Sequence, residues 1–126
     1  MSYYFAQKLR SSLDDAAAKT TTALEEEGFG IITEIDVNQT LERDVDFRRY
    51  KIRGACNSET RPRGAQGGGQ SGTMLPCNVI VQELVSGQVE VAAIDPVVSM
   101  QAVENPEQEK IATAVRQKLQ RVIEKL

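Results

Sequence analysis

Cys56-Asn57 and Cys77-Asn78 are the pairs in this chain best suited to chemistry. A thiolate is a nucleophile and a metal ligand, and a helix N-terminus aimed at a cysteine lowers its pKa. Residues just after Asn57 would supply such a helix end. Read this way, Cys56, Asn57, Cys77 and Asn78 form a candidate thiol site for redox or sulfur handling, with Pro76 and Asp95 in support. The competing reading makes the cysteines small, partly buried hydrophobes and the asparagines turn and cap residues. It is the commoner fate of a cysteine. No catalytic residue can be assigned between the two.

The rest of the chemistry is mostly negative. The chain contains no His, which removes a Cys-His or Ser-His pair and the commonest transition-metal ligand. Two cysteines without histidine make a poor zinc set, although Asp95 or a partner subunit would add ligands, so no metal and no cofactor are expected. Gly28-Phe29-Gly30 and Gly67-Gly68-Gly69 are not phosphate loops, since no Gly-Lys-Ser/Thr follows. Glu34 and Asp36 alternate onto one strand face, where two carboxylates suit acid–base work. Arg48, Arg49, Lys51 and Arg53 form a basic strand that would bind an anion or pair across strands with those carboxylates; pairing is the expected use.

Positioning these residues takes strands and helices of recognisable type. Tyr3 to Leu9 reads as a strand. Ser12 is a good N-cap, Asp14 and Asp15 suit a positive helix end, and Leu13, Ala17, Thr20 and Leu24 recur at helical spacing up to about Glu27. Gly28 stops that helix, because Gly enters the left-handed conformation without strain. Phe29 to Val37 is β-rich, and Asn38 to Asp44 suits a short helical turn capped by Asn38 or Thr40. Phe47 to Ala55 reads as a strand, and Cys77 to Val85 with Gln88 to Ile94 as a hairpin around Ser86-Gly87. Asp95-Pro96 ends it. Asn105 caps the last helix, Pro106 opens it, Gln108 completes an approximate capping box, and Ile111, Val115, Leu119, Val122 and Leu126 line one face.

The whole amounts to one domain. With 126 residues, 40% hydrophobic and 26% charged, the chain can bury a core without disulfides or metal. A net charge of −3 gives no electrostatic footprint for nucleic acid. No apolar run is long enough to cross a bilayer, and the N-terminus lacks a signal peptide's apolar segment. A cytoplasmic location and reduced thiols are therefore expected.

EEEGFGIITEIDV, VDFRRYKIRGACN, MLPCNVIVQE, and VAAIDPV followed by NPE resemble, in order and spacing, the family called domain of unknown function 302. The resemblance implies an α+β fold similar to the TATA-binding-protein-like class: an antiparallel sheet with a first helix and a long C-terminal helix packed on it. It also implies a homodimer, and it supplies no activity. Ser58 to Thr73 departs from the pattern. Relatives carry a helix of the type Pro-x-Leu-Ala-x-x-Ala-Leu there, followed by an acidic turn and Gly-Leu. This chain has SETRPRGAQGGGQSGT, whose glycines each cost a helix about 1 kcal/mol against Ala. Read one base out of frame, its codons permit Pro-Lys-Leu-Ala-His-Gly-Ala-Leu-Lys-Ala-Glu-Asp-Lys-Val-Gly-Leu, the missing helix in register. One extra base near Ser58 and one missing base near Thr73 would produce the written residues. That reading expects a helical backbone from about Glu59 to Gln66; a natural Gly-rich loop is the alternative.

The expected function is a homodimeric module binding a small ligand or a protein partner, with no nucleic acid and no membrane. The alternative is a thiol-dependent redox or sulfur-handling protein using Cys56 and Cys77.

Overall fold

Two periods of apolar residues, 2 and 3.6, account for the architecture. The computed structural model describes residues 2–40, 48–57, 76–101 and 106–126. In chain order these form β1 (Tyr4–Leu9), α1 (Leu13–Glu26), β2 (Phe29–Asp36), α2 (Val37–Thr40), β3 (Tyr50–Asn57), β4 (Cys77–Glu83), β5 (Val89–Ile94), α3 (Pro96–Ser99) and α4 (Pro106–Glu124). The strands make one antiparallel sheet in the order β1-β5-β4-β3-β2. This is the α+β arrangement read from the sequence.

α1 begins where Ser12 Oγ accepts the Asp15 N–H at 3.1 Å. It ends at Gly28, whose φ of 84° lies in the left-handed region. Its buried side is Leu13, Ala16, Ala17, Thr20, Ala23 and Leu24. α4 buries Ile111, Val115, Leu119, Val122 and Ile123, with Leu126 partly buried beside them. Both helices pack on the sheet face that carries Phe29, Ala55, Val79, Val81, Val89, Val91 and Ala93. Leu24, Leu119, Val79 and Val81 lose all contact with water, each contributing about 1.5–3 kcal/mol.

Some boundaries fall elsewhere than the sequence places them. β4 stops at Glu83 and β5 starts at Val89, with Gly87 at a φ of 87° in the turn between them. The short helix starts at Val37, where Asp36 Oδ1 accepts the Asn38 N–H at 3.1 Å, so Asp36 rather than Asn38 opens it. Asn38 is spent across the gap to β3, donating Nδ2–H to the Arg48 carbonyl and accepting the Tyr50 N–H, both at 3.0 Å. α3 is not anticipated from the sequence, where Asp95-Pro96 reads only as a strand stop. Asp95 Oδ1 accepts the Val97 N–H at 3.0 Å and Pro96 takes the first position, so the pair is also a helix start. The expectations for Leu41 to Asp44, Phe47, Ser58 to Thr73 and Asn105 lie outside the described residues.

β2 carries an irregularity. Ile31 pairs with Ala55 and Thr33 with Gly54, so Ile32 is an extra residue that bulges from the ladder. Beyond the bulge Glu34 and Asp36 share the helix-covered face with Arg53 and Lys51, their register partners. Arg53, only 8% exposed, donates Nε–H to Glu34 Oε2 at 3.1 Å and Nη1–H to the Ala17 carbonyl at 3.0 Å. Lys51 Nζ lies 3.5 Å from Glu34 Oε1. Arg49 instead reaches Asp14, at 3.2 Å. The basic strand is thus used for cross-strand and strand-to-helix pairing.

The other sheet face has no helix on it among the described residues. Register places side chains there in three rows across the strands. Tyr4, Ile94, Asn78, Gly54 and Thr33 form the first; Ala6, Ala92, Ile80, Ile52 and Ile35 the second; Lys8, Glu90, Gln82 and Tyr50 the third.

Candidate functional site

The cysteines meet at one end of the sheet but not on one face. Cys77 opens β4 opposite Ala55 of β3, and directly opposed residues point the same way. Cys77 therefore lies on the helix-covered face, packed against the core. Cys56 is one residue further along β3, opposite Gly30, and points to the uncovered face. Both are free thiols. Burial first, then the neighbouring Cys56, pushes the Cys77 thiol up to about 11. A thiol so placed keeps its proton at neutral pH, the opposite of what a nucleophile needs.

The supporting residues scatter in the same way. Asn57 is buried and donates Nδ2–H to the Glu27 carbonyl at 2.9 Å, holding the end of α1. Asn78 is exposed on the uncovered face. Asp95, 3% exposed, caps α3 and lies 3.3 Å from Arg116 Nε, off the hydrogen-bond line. Pro76 leans over Gly54, where an added Cβ would come within 2.5 Å of its Cγ and closer still to Thr33 Oγ1. The side chains at this end thus serve caps, a core contact and a close backbone approach.

A second feature was not anticipated from the sequence. The uncovered face holds a groove of about 380 Å³ over β1, β5, β4 and the start of β3. Ala92, Ile80 and Ile94 contribute its apolar surface, and Tyr3, Tyr4 and Tyr50 rise around it. These are all the tyrosines of the chain. Its polar rim is a fixed relay: Arg48 Nε–H donates to Gln82 Oε1 at 3.0 Å, and Gln82 Nε2–H donates to Glu90 Oε1 at 3.0 Å. The Arg48 guanidinium also rests over the Tyr50 ring, 5.8 Å from its centre. Strands apolar on both faces, such as Cys77 to Val81 and Val89 to Ile94, were the available signal.

Among the described residues no group of three or more His, Cys, Asp or Glu is placed to hold a metal ion. No described helix is long and apolar enough to cross a membrane.

Comparison with known proteins bears on the fold. The family model described as Domain of unknown function DUF302 matches residues 5–126. The chain is similar to the crystal structure of an uncharacterized conserved DUF302 protein from Bacillus stearothermophilus, at 20% identity, 98% coverage of each chain and a TM-score of 0.89. Comparison with curated proteins finds no match.

Proposed function

Because the chain belongs to the DUF302 family, whose description names no activity, we propose from its geometry that it is a homodimeric binding module working through the uncovered face of its sheet. The carrying observation is the row Ala92, Ile80, Ile52 and Ile35, an apolar stripe across four strands with no described helix above it. Ile35 keeps 46% of its surface exposed, and Ile32 beside it 52%. Contiguous exposed apolar surface of this kind marks an interaction site. The half over β2 and β3 is the contact for a second copy, and a two-fold axis there would bring the same isoleucines together from both chains. The half over β1, β5 and β4 is left for a ligand.

The thiol reading draws little support from the geometry. It needs two sulfurs on one face and at least one acidic thiol, whereas register separates the faces and burial raises Cys77.

Light scattering at micromolar concentration tests the assembly. The dimer mass is expected for the wild type and the monomer mass for Ile35→Glu. A wild-type monomer, or an Ile35→Glu dimer, would overturn this placement of the interface.

A further inference from the structure

The groove on the uncovered face has an uncommitted hydrogen-bonding edge at one of its ends. We infer that it takes a flat, uncharged lactam, an aromatic body whose ring N–H and C=O stand side by side, read by the side chain of Asn78. The inference rests on the reading of this half of the sheet as a ligand surface.

The polar groups at the two ends differ in what they have left to give. At the Glu90 end they answer one another. Lys8 is the register partner of Glu90, Gln82 donates to Glu90 and accepts from Arg48, and the Arg48 guanidinium lies over the Tyr50 ring. With Lys8 and Arg48 beside Glu90, that end selects for no single charge. At the other end Tyr4, Ile94 and Asn78 form one row across β1, β5 and β4. The side-chain amide of Asn78 lines the groove and has no hydrogen-bond partner among the described residues. An asparagine on an open surface is usually just solvated, but this one is framed. Pro76 fills the space above Gly54, the next position in the row, so the amide opens towards Ile94 rather than over β3. Tyr4 and Tyr3 stand on the far side, their rings 5.1 Å apart and at 70° to each other.

Size and shape set the body. Strands about 4.8 Å apart leave about 10 Å between the backbones of Tyr4 and Asn78. One or two fused rings fit that width, lying flat on Ile94, Ala92 and Ile80, and the groove's volume of about 380 Å³ is at the lower end of small-molecule sites. Hydrogen bonding sets the edge. An asparagine amide offers a donor, Nδ2–H, beside an acceptor, Oδ1. A lactam edge meets both at once through two parallel hydrogen bonds, as asparagine does with the donor–acceptor edge of adenine. A carboxylate would leave Oδ1 without a donor, and an ammonium would leave Nδ2–H without an acceptor. The selection needs no net charge on either partner.

Isocarbostyril, a fused-ring lactam, and N-methylisocarbostyril share a flat, neutral body, and methylation removes the donor alone. Binding is read by nuclear magnetic resonance of nitrogen-labelled protein, from the side-chain amide signals of Asn78, identified by their loss in Asn78→Leu, and from the backbone amides of Ile80 and Ala92. Isocarbostyril should shift all of these saturably and bind at least about tenfold tighter than its N-methyl derivative. Asn78→Leu changes an exposed position. It should lower the affinity for isocarbostyril to that of the N-methyl compound, and leave the latter within about twofold of its wild-type value. Equal affinity for the two compounds, an unaltered preference in Asn78→Leu, or an equal loss for both in that variant would overturn the lactam assignment. Saturable shifts at Ile80 and Ala92 would still keep the groove as the ligand surface in those cases. No saturable shift at any of these residues would overturn that reading together with the lactam. The mass measurement on Ile35→Glu does not depend on this titration, so the interface fails separately.

Discussion

At the scale of the residue, Cys77 is the group whose acidity the fold moves most usefully. A thiol pKa raised from 9.0 to about 11 means that the folded chain holds this proton more tightly than the unfolded chain. The associated stabilisation is complete below pH 9.0 and is lost as pH rises through about 11. Denaturation midpoints should therefore fall more steeply over that interval for the wild type than for Cys77→Ala. In native protein at neutral pH a thiol reagent should leave Cys77 unmodified until the chain unfolds, as peptide mapping would show. The sequence made half of this arrangement legible. One strand ends near Cys56 and another begins at Cys77, which was enough to bring them to one end of a sheet. Which face each sulfur takes depends on pairing Ala55 with Cys77, and a slip of one residue would reverse it. The groove was hidden for a related reason. Tyr4, Glu90 and Tyr50 come to line one groove because β5 inserts between β1 and β4, and no local pattern encodes that order.

At the scale of the element, α1 and α4 are joined at their ends as well as through the core. Glu27 caps the end of α1 and accepts Arg121 Nε–H at 2.8 Å and Lys125 Nζ–H at 2.6 Å from α4 and the residue just past it. The hydrogen bond from Lys125, then that from Arg121, holds the Glu27 carboxyl below its ordinary 4.5. The pair's stabilisation is thus present above pH 4.5 and lost as pH falls through the depressed value. Glu27→Gln should cost less than about 1 kcal/mol at neutral pH, because both cations are substantially exposed. The difference from wild type should vanish in acid, as paired urea titrations at the two pH values would show. The helices themselves were readable from spacing and caps: Ser12, Gly28 and Pro106 each carry a local conformational requirement. α3 shows the limit, since one Asp-Pro pair fits both the end of a strand and the start of a helix.

At the scale of the whole molecule, the fold follows from apolar spacing, and Ser58 to Thr73 interrupts that spacing in the sequence. We propose that this segment is a compensated change of reading frame. Where that change is one of recording, the intact mass of protein made from the source gene should fit the out-of-frame reading of those sixteen residues, which contains a histidine. A mass matching the written residues excludes an error of recording and leaves a real lesion or a natural loop. The bulge at Ile32 also reaches beyond its own strand. Among the described residues β2 is one of the sheet's two edge strands, and Ile32 interrupts its ladder midway. Removing that residue would keep Glu34 against Arg53 and every other pairing in register, so the fold should survive. What it would remove is the kink that prevents a neighbouring molecule from adding its own strand. The deletion variant should melt like the wild type yet turn turbid on storage, growing ribbons edge upon edge. A single unpaired isoleucine would then matter less to the chain that contains it than to how many chains can share a solution.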